Sequence, residues 1–241
     1  MKTRPTGSTD FPWVLSMQWY DVLFLHWPVP RAVLRPYVPD GLDIESHAGS
    51  TWLGIVPFRM SDIRPRWLPP VSCLSDFPEL NIRTYVTDGE VSGVWFFSLD
   101  ACSWLSVRIA RLAYSLNYYH ADMSVETGNN LVRYASRRRK SEPGDFRFKC
   151  KYQTAESNPI DKGDLERFLT ERYFLFSQDD CGSLYRGRIL HPEWELFKTD
   201  YEIGELYVKN HPSPPDDTPV SALYSPHLSV KAWLPVSLGQ D

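Results

Sequence analysis

The chain has 241 residues, of which 42% are hydrophobic and 14% aromatic, and a formal net charge of -4. A chain of this size and composition can form a core without disulfide or metal cross-links. The acidic balance argues against a nucleic-acid or anionic-membrane partner, and no apolar run approaches the roughly 18 residues that span a bilayer. The 4 cysteines are scattered without a C-x-x-C pair, which is typical of thiols in a reducing compartment. We therefore expect a cytoplasmic protein.

Proline and aromatic content favour a chain of short β elements. The 20 prolines disfavour long helices, while aromatic and β-branched side chains suit pleated, half-buried surfaces. The sequence contains no internal repeat and no linker rich in glycine and serine. We expect a disordered tail at residues 1–10 and a single, mainly β (α+β) domain over residues 11–241, with two or three short helices.

Predicted elements follow one another closely along the chain. After an aromatic, proline-rich opening, residues 30–42 are turn-like or form a single helical turn. Alternating or apolar runs bounded by turns predict strands at residues 52–60, 79–87, 91–99, 118–126, 131–136, 146–152, 184–190, 197–203 and 228–234. Apolar residues at helical spacing predict an amphipathic helix over residues 101–116, and a shorter helix is predicted over residues 161–170.

The clearest alternation lies in the strand at residues 79–87. One face carries Glu79, Asn81, Arg83 and Tyr85, and the other carries Leu80, Ile82, Thr84 and Val86. An Asp88-Gly89 turn then leads into the next strand. In most antiparallel sheets such a polar face meets water. The pattern alone leaves open whether this face is outside or lines an internal pocket.

Few other residues form a recognisable site. Tyr118, His120 and Asp122 share a strand face, where His120 either exchanges protons near neutral pH or is hydrogen-bonded in the wall. The 6 histidines form no H-x-H or H-E-x-x-H spacing, so no metal site is predicted. Phosphate-loop, dinucleotide and G-x-S-x-G motifs are missing from the sequence, so no cofactor is expected. The basic run 137–140 indicates a solvated strand end.

Eight short motifs, taken in order and with their spacing, resemble one protein family. They are FLHWPV at 24–29, GIVPF at 54–58, FPELNIRTYV at 77–86, FFSLD at 96–100, YYHA at 118–121, TERY at 170–173, LYRG at 184–187 and YSP at 224–226. Together they are similar to the YqjF-like proteins, an uncharacterised bacterial family of the acetoacetate-decarboxylase-like superfamily. The resemblance implies a curved antiparallel sheet closed into a cone-like barrel around a central ligand cavity.

The resemblance to the decarboxylases themselves breaks down at their catalytic lysine. In those enzymes a cavity-facing strand glutamate is followed by a strand ending in Leu-Asp, a helix, and a segment carrying a Schiff-base lysine. Glu79 matches the glutamate and Leu99-Asp100 matches the strand end, but residues 116–120 contain no lysine. An imine requires a lysine of lowered pKa. Schiff-base decarboxylation is therefore not expected.

The resemblance also selects the candidate site residues. It implies that Glu79 and Arg83 point into the cavity, near each other and near His120, as the catalytic candidates. A second group is expected to bind the ligand: His26, Trp27, Asn81, Tyr85, Trp95, Phe97 and Tyr118. In this interpretation Arg83 holds a carboxylate or enolate, while Glu79 or His120 moves a proton.

Three functions remain open from the sequence. The first is a lyase- or isomerase-like enzyme that uses acid–base chemistry on a small organic acid or ketone. The second is a non-catalytic protein that encloses a small apolar or amphipathic ligand, and the third is a structural role with a filled interior. Candidate exposed aromatics such as Trp13, Trp67 and Trp194 also predict a homo-oligomer, because large apolar patches favour association.

Overall fold

The computed structural model describes residues 12–69, 76–104, 107–108, 111, 114–154, 158–216 and 218–239. Its strands are β1 Leu15–Val29, β2 Asp43–Ile44, β3 Thr51–Pro65, β4 Asp76–Thr87, β5 Ser92–Ala101, β6 Tyr118–Gly128, β7 Leu131–Arg138, β8 Asp145–Gln153, β9 Phe174–Gln178, β10 Leu184–Leu190, β11 Phe197–Lys198, β12 Tyr201–Lys209, β13 Ser221–Ala232 and β14 Val236–Ser237. Helical segments are Arg31–Leu34, the 3-10 turn Arg35–Tyr37, and Asp164–Thr170. The predicted tail at residues 1–10 lies outside the described ranges.

Strands β1, β3, β4, β5, β9, β10 and β13 pair in that order, and β13 pairs back onto β1 to close a ring. Neighbours within the ring run antiparallel except β5 and β9, which are parallel. Closure gives each of these strands a neighbour on both sides, although β5 with β9 and β10 with β13 pair at two register positions each. The cone-like barrel implied by the resemblance is thus realised as a ring of strands.

A second sheet covers part of the outside of the ring. Strand β6 pairs in parallel with β5, and the sheet then continues through β7, β8 and β12 in antiparallel order. Its inner face, including Val132, Phe146 and Phe148, packs against ring residues such as Leu25 and Ile82. We call this buried layer the outer core. Ring strands beneath it are therefore buried on both faces.

Bulges in β1 and β3 change which residues face the ring interior. Asp21 has a positive φ of 53°, and the register of β1 against β3 shifts between Tyr20 and Leu25. Because of this extra residue, Trp19 and Val22 both face the interior, although they are three positions apart. The Asp21 carboxylate accepts hydrogen bonds from Arg59 Nε at 2.9 Å and, through its other oxygen, from the Tyr224 hydroxyl at 3.1 Å.

Most predicted elements exist, but several differ in their bounds or were not predicted. The predicted helix 101–116 starts too early, because Ala101 still pairs with Glu79 and His120 as part of β5. Positions 104, 107, 108, 111 and 114 are helical, positions 102, 103, 115 and 116 are not, and the remaining positions lie outside the described residues. The predicted strand 197–203 is divided between β11 and β12. Strands β1 and β9 were not predicted. Within the described ranges, no helix is long and apolar enough to cross a membrane.

Candidate functional site

A cavity of about 250 Å³ lies inside the ring. Most of its wall is apolar and includes Trp19, Phe24, Val56, Phe58, Leu99 and Trp194. The polar side chains in the wall are Glu79, Asn81, Arg83, Tyr114, Tyr118, Thr170, Arg172 and His191. A concave, mostly apolar pocket with a few converging polar groups is the usual form of a small-molecule site.

Strand β4 supplies the polar floor of this cavity. Glu79, Asn81 and Arg83 are 3%, 5% and 9% exposed and face the interior. Leu80 and Ile82, which alternate with them, pack in the outer core. The polar face of this strand therefore lines the internal cavity and not the protein surface, and the alternate residues pack in the outer core.

Glu79 is a buried carboxyl group without a cation. Its Oε2 accepts a hydrogen bond from the Tyr118 hydroxyl at 2.8 Å, and none of the ion pairs among the described residues involves it. Burial raises the pKa of Glu79 to about 8, against the opposing effect of the Tyr118 hydrogen bond. The group is mostly protonated at neutral pH and can give or take a proton near it.

Arg83 is a buried cation without a carboxylate. Its Nη2 donates to the Leu169 carbonyl at 3.1 Å, and its guanidinium lies 5.4 Å from the Phe24 ring centroid and 5.7 Å from that of Tyr85. Its Nε is buried and has no hydrogen-bond partner. No carboxylate among the described residues forms an ion pair with it. Because an uncompensated buried charge is costly, an anion in the cavity would be stabilised here.

The expectation that Glu79 and Arg83 lie near each other is wrong. A strand rises about 3.4 Å per residue, which separates their Cα atoms by roughly 13–14 Å. Their side chains also have different partners, since Tyr118 holds Glu79 and the Leu169 carbonyl holds Arg83. The two groups are therefore polar ends of one cavity, not an ion pair.

His26 and Tyr85 form a buried layer beside Arg83 rather than part of the cavity wall. The Tyr85 hydroxyl donates to the Leu169 carbonyl at 2.8 Å, and His26 Nε2 lies 2.6 Å from the same hydroxyl. Because the hydroxyl proton is already used, His26 Nε2 is the donor in that contact. Burial, and secondarily Arg83, hold the pKa of His26 well below its usual value. Gly54 packs closely against this layer, because a Cβ atom at position 54 would lie 3.0 Å from the His26 ring.

Three expected ligand-binding aromatics lie on the wrong side of the ring. Trp27, Trp95 and Phe97 belong to the outer core and do not line the cavity. Trp95 and Phe97 each lie next to Phe96, which lines the cavity, so strand alternation turns them outward. Trp95 Nε1 instead donates to the Tyr37 carbonyl at 2.9 Å.

His120 also lies outside the cavity wall. Its Nε2 is 3.0 Å from the Cys102 carbonyl oxygen, and it pairs with Ala101 where β5 ends. Tyr118, two residues earlier on β6, pairs with Leu99 and reaches the cavity. The predicted proton-transfer role of His120 on a cavity ligand thus lacks geometric support.

Four polar wall residues were not assigned a role from the sequence: Tyr114, Thr170, Arg172 and His191. Arg172 is paired with Glu45 and also donates from Nε to the Phe168 carbonyl at 2.7 Å. Thr170 and Arg172 belong to the TERY motif, whose position in the family pattern was the only available signal. Thr170 and Arg172 come close to β4 only through long-range folding of the chain. The spacing of residues in the sequence does not reveal this contact.

The described wall contains neither an imine-forming lysine nor a metal-ligand cluster. No lysine lines the cavity among the described residues, and the segment that carries the lysine in the decarboxylases here contains Tyr118, Tyr119 and His120. The described part of the chain also has no group of three or more His, Cys, Asp or Glu side chains placed to hold a metal.

The ring of strands with its internal cavity places the chain in the acetoacetate-decarboxylase-like fold class. It is similar to acetoacetate decarboxylase from Legionella pneumophila, with a TM-score of 0.70, 11% identity, and coverage of 99% of this chain and 92% of that chain. It is also similar to an acetoacetate decarboxylase-like enzyme from Sphingomonas wittichii RW1, with a TM-score of 0.64, 14% identity and coverage of 95% and 94%. The enduracididine biosynthesis enzyme MppR complexed with pyruvate matches with a TM-score of 0.61, 8% identity and coverage of 96% and 93%.

The chain belongs to the DUF2071 family, described as an uncharacterized conserved protein, which matches residues 16–229. It is 37% identical over 195 residues to the uncharacterized protein YqjF of Bacillus subtilis (strain 168), which covers 81% of this chain and 80% of that relative. The YqjF-like resemblance inferred from the motifs is confirmed. At 14% identity or less, the solved structures establish the fold alone.

Proposed function

We propose that the ring cavity binds a small organic acid or ketone with an apolar body, and that Glu79 exchanges a proton with this ligand. One observation carries the proposal: a buried carboxyl group lies in the cavity wall, no cation pairs with it among the described residues, and burial raises its pKa to about 8. Perturbed titratable groups in clefts are candidates for acid–base roles. Proton transfer is most effective when the pKa of the group lies near the working pH.

The wall also offers a partner for the oxygen of an enol or enolate. Tyr114 lines the cavity, and its hydroxyl is buried without a hydrogen-bond partner. Burial raises the pKa of Tyr114 to about 12, so it stays protonated and can donate. In this scheme the ionised form of Glu79, a minor fraction at neutral pH, takes a proton from the carbon beside the carbonyl. Tyr114 donates a hydrogen bond to the oxygen as charge develops on it.

This arrangement favours enolisation, isomerisation, hydration or dehydration over imine-dependent decarboxylation. An imine would require a lysine in the wall, and none lines the cavity among the described residues. The electron pair released from carbon is therefore held by the carbonyl oxygen and its donors.

A non-catalytic binding role is the second candidate, because the wall is mostly apolar. Such a wall gains free energy from burying an apolar ligand without any chemical step. In that case the protonated Glu79 carboxyl would act only as a hydrogen-bond partner.

Deuterium exchange distinguishes the two candidates. Butanone and 4-oxopentanoate are incubated with the protein in D₂O, and the loss of the protons beside the carbonyl is followed by NMR. We expect exchange above background with the natural protein and none with Glu79→Gln, which keeps the shape of the side chain. Saturation-transfer NMR on the same samples should detect binding by both proteins.

Lys149→Ala is the matched control, since Lys149 lies on the second sheet and pairs with Glu205 at 3.1 Å. The Lys149→Ala variant should promote deuterium exchange of the ligand at the rate seen with the natural protein. Binding without exchange by the natural protein would favour the non-catalytic role, and absence of both would overturn the proposal. Borohydride reduction after the incubation should trap no adduct on any lysine.

A further inference from the structure

The polar groups of the cavity form two sets at opposite ends of the inward face of β4. At one end, Glu79 accepts from Tyr118, and Tyr114 lies close enough to Tyr118 to raise its pKa. At the other end, Arg83 contacts the Leu169 carbonyl, next to the wall residue Thr170. An acid end and a cation end are thus separated along one strand.

The separation between the two ends is set by the strand itself. Four residues of extended chain place the Cα atoms of Glu79 and Arg83 about 13–14 Å apart. The Arg83 guanidinium then reaches the carbonyl that also accepts from the Tyr85 hydroxyl at 2.8 Å. Because Tyr85 lies two residues beyond Arg83, this contact directs the guanidinium away from Glu79 rather than toward it.

The two ends also differ in what they require from a ligand. Arg172, the other arginine of the wall, is already paired with Glu45, whereas Arg83 has no carboxylate partner among the described residues and a buried Nε without a hydrogen bond. The cation end is therefore suited to an anion. The acid end presents a hydroxyl donor, Tyr114, with no partner of its own, and is suited to a neutral carbonyl oxygen.

We infer that the ligand is a two-headed oxo acid, with its carboxylate at Arg83, its carbonyl at Glu79, and several apolar carbons between them. This inference rests on the proposed function and names its ligand class. An extended chain advances roughly 1.2 Å per bond, since three backbone bonds span about 3.3–3.6 Å. With a hydrogen bond of about 3 Å at each end, the two groups of a 3-oxo acid, two bonds apart, span about 8 Å and fall short of the separation. Those of a 6-oxo or 7-oxo acid, five or six bonds apart, span about 12–13 Å, and their carbon chain meets the apolar wall.

A chain-length series tests the inference by calorimetry. The ligands are 3-oxobutanoate, 4-oxopentanoate, 5-oxohexanoate, 6-oxoheptanoate and 7-oxooctanoate, each with its methyl ester. We expect affinity to rise by roughly tenfold or more from the shortest to the best of the two longest acids. Each long acid should bind more tightly than its own ester, because only the acid can pair with Arg83. The ester comparison cancels the gain from added carbons.

Arg83→Met should remove the preference for acid over ester, while Arg83→Lys should keep part of it. Should the methionine variant not fold, the acid-to-ester ratio of the natural protein still tests the same contact. Equal or tighter binding of 3-oxobutanoate, with Glu79-dependent exchange intact, would overturn the inference and leave the proposed function standing. Long acids that bind no better than their esters would also overturn it. No binding by any member would overturn both.

Discussion

Two sets of acid and arginine side chains among the described residues invite comparison, because one set is paired and the other is not. Asp100 and Arg138 are both fully buried, with Arg138 Nε and Nη2 at 3.0 and 2.7 Å from Asp100 Oδ1. Glu79 and Arg83 are also buried, but they occupy opposite ends of the ring cavity. The same residue types therefore serve two different physical purposes.

The paired set uses the protein's own groups to satisfy its arginine. Arg138 Nη1 also donates to the Pro143 carbonyl at 3.2 Å and to His211 Nε2 at 2.9 Å. Burial and Arg138 lower the pKa of His211 to about 4, so it is neutral and can accept. In the ring cavity, by contrast, donors on Arg83 and Tyr114 remain unused. A cation without a carboxylate among the described residues, rather than burial, distinguishes the candidate site from the structural ion pair.

The largest expected effect breaks the paired set. Arg138→Met leaves the Asp100 carboxylate buried without its cation, which should lower the free energy of unfolding by about 3–5 kcal/mol. Arg83→Met leaves no carboxylate without its cation and removes an uncompensated buried charge. It should therefore lower the free energy of unfolding by less than about 1 kcal/mol. Urea unfolding at pH 7, followed by circular dichroism, measures both. Similar losses in the two variants would show that Arg83 is as firmly held by the protein as Arg138.

A smaller, pH-dependent effect should follow from Glu79→Gln. The pKa of Glu79 is about 8 in the folded protein, against 4.5 for an unperturbed glutamate side chain. Between these values the folded state holds the proton and the unfolded state releases it, so stability falls as pH rises from about 4.5 through 8. Glutamine does not ionise in this range, so the variant lacks this contribution to the pH dependence of stability. The variant should match the natural protein at the low end and exceed it above pH 8 by a few kcal/mol, at about 1.4 kcal/mol per pKa unit.

Urea unfolding at each pH from 5 to 9 measures this difference. Glu126→Gln is the matched control, since Glu126 is exposed on β6, and it should keep the natural slope. A Glu79→Gln slope equal to that of the natural protein would mean that Glu79 is ionised in the folded state.

The sequence predicted the inward face of β4 because polar and apolar residues alternate there. Glu79, Asn81 and Arg83 reach the cavity as the alternation and the resemblance together implied. The same reasoning failed for Trp27, since β1 is buried on both faces and reads as a continuous apolar run. Its bulge at Asp21 further disrupts the period of two.

The far end of the cavity could not be predicted in the same way. Thr170 and Arg172 lie almost ninety positions after β4 in the chain, and the parallel pairing of β9 with β5 carries that segment to the ring. No local pattern encodes this approach. The predicted pairing of Glu79 with Arg83 does not occur, because Tyr118 donates to Glu79 and the Leu169 carbonyl accepts from Arg83. The four-residue spacing on one strand does not reveal these partners.

The smallest expected effect concerns the single hydrogen bond that Glu79 receives. Tyr118→Phe removes the donor at 2.8 Å from Glu79 Oε2, and that donor lowers the pKa of Glu79. A hydrogen bond to a charged group contributes about 1.5–3 kcal/mol, so the pKa should rise by roughly one to two units. The pH-dependent loss of stability should then extend about one unit or more beyond pH 8, in the same unfolding assay. Tyr207→Phe, on the 40% exposed Tyr207, should leave the profile unchanged. If Tyr118→Phe also leaves it unchanged, burial alone sets the protonation of Glu79, and Tyr118 only positions the carboxyl group.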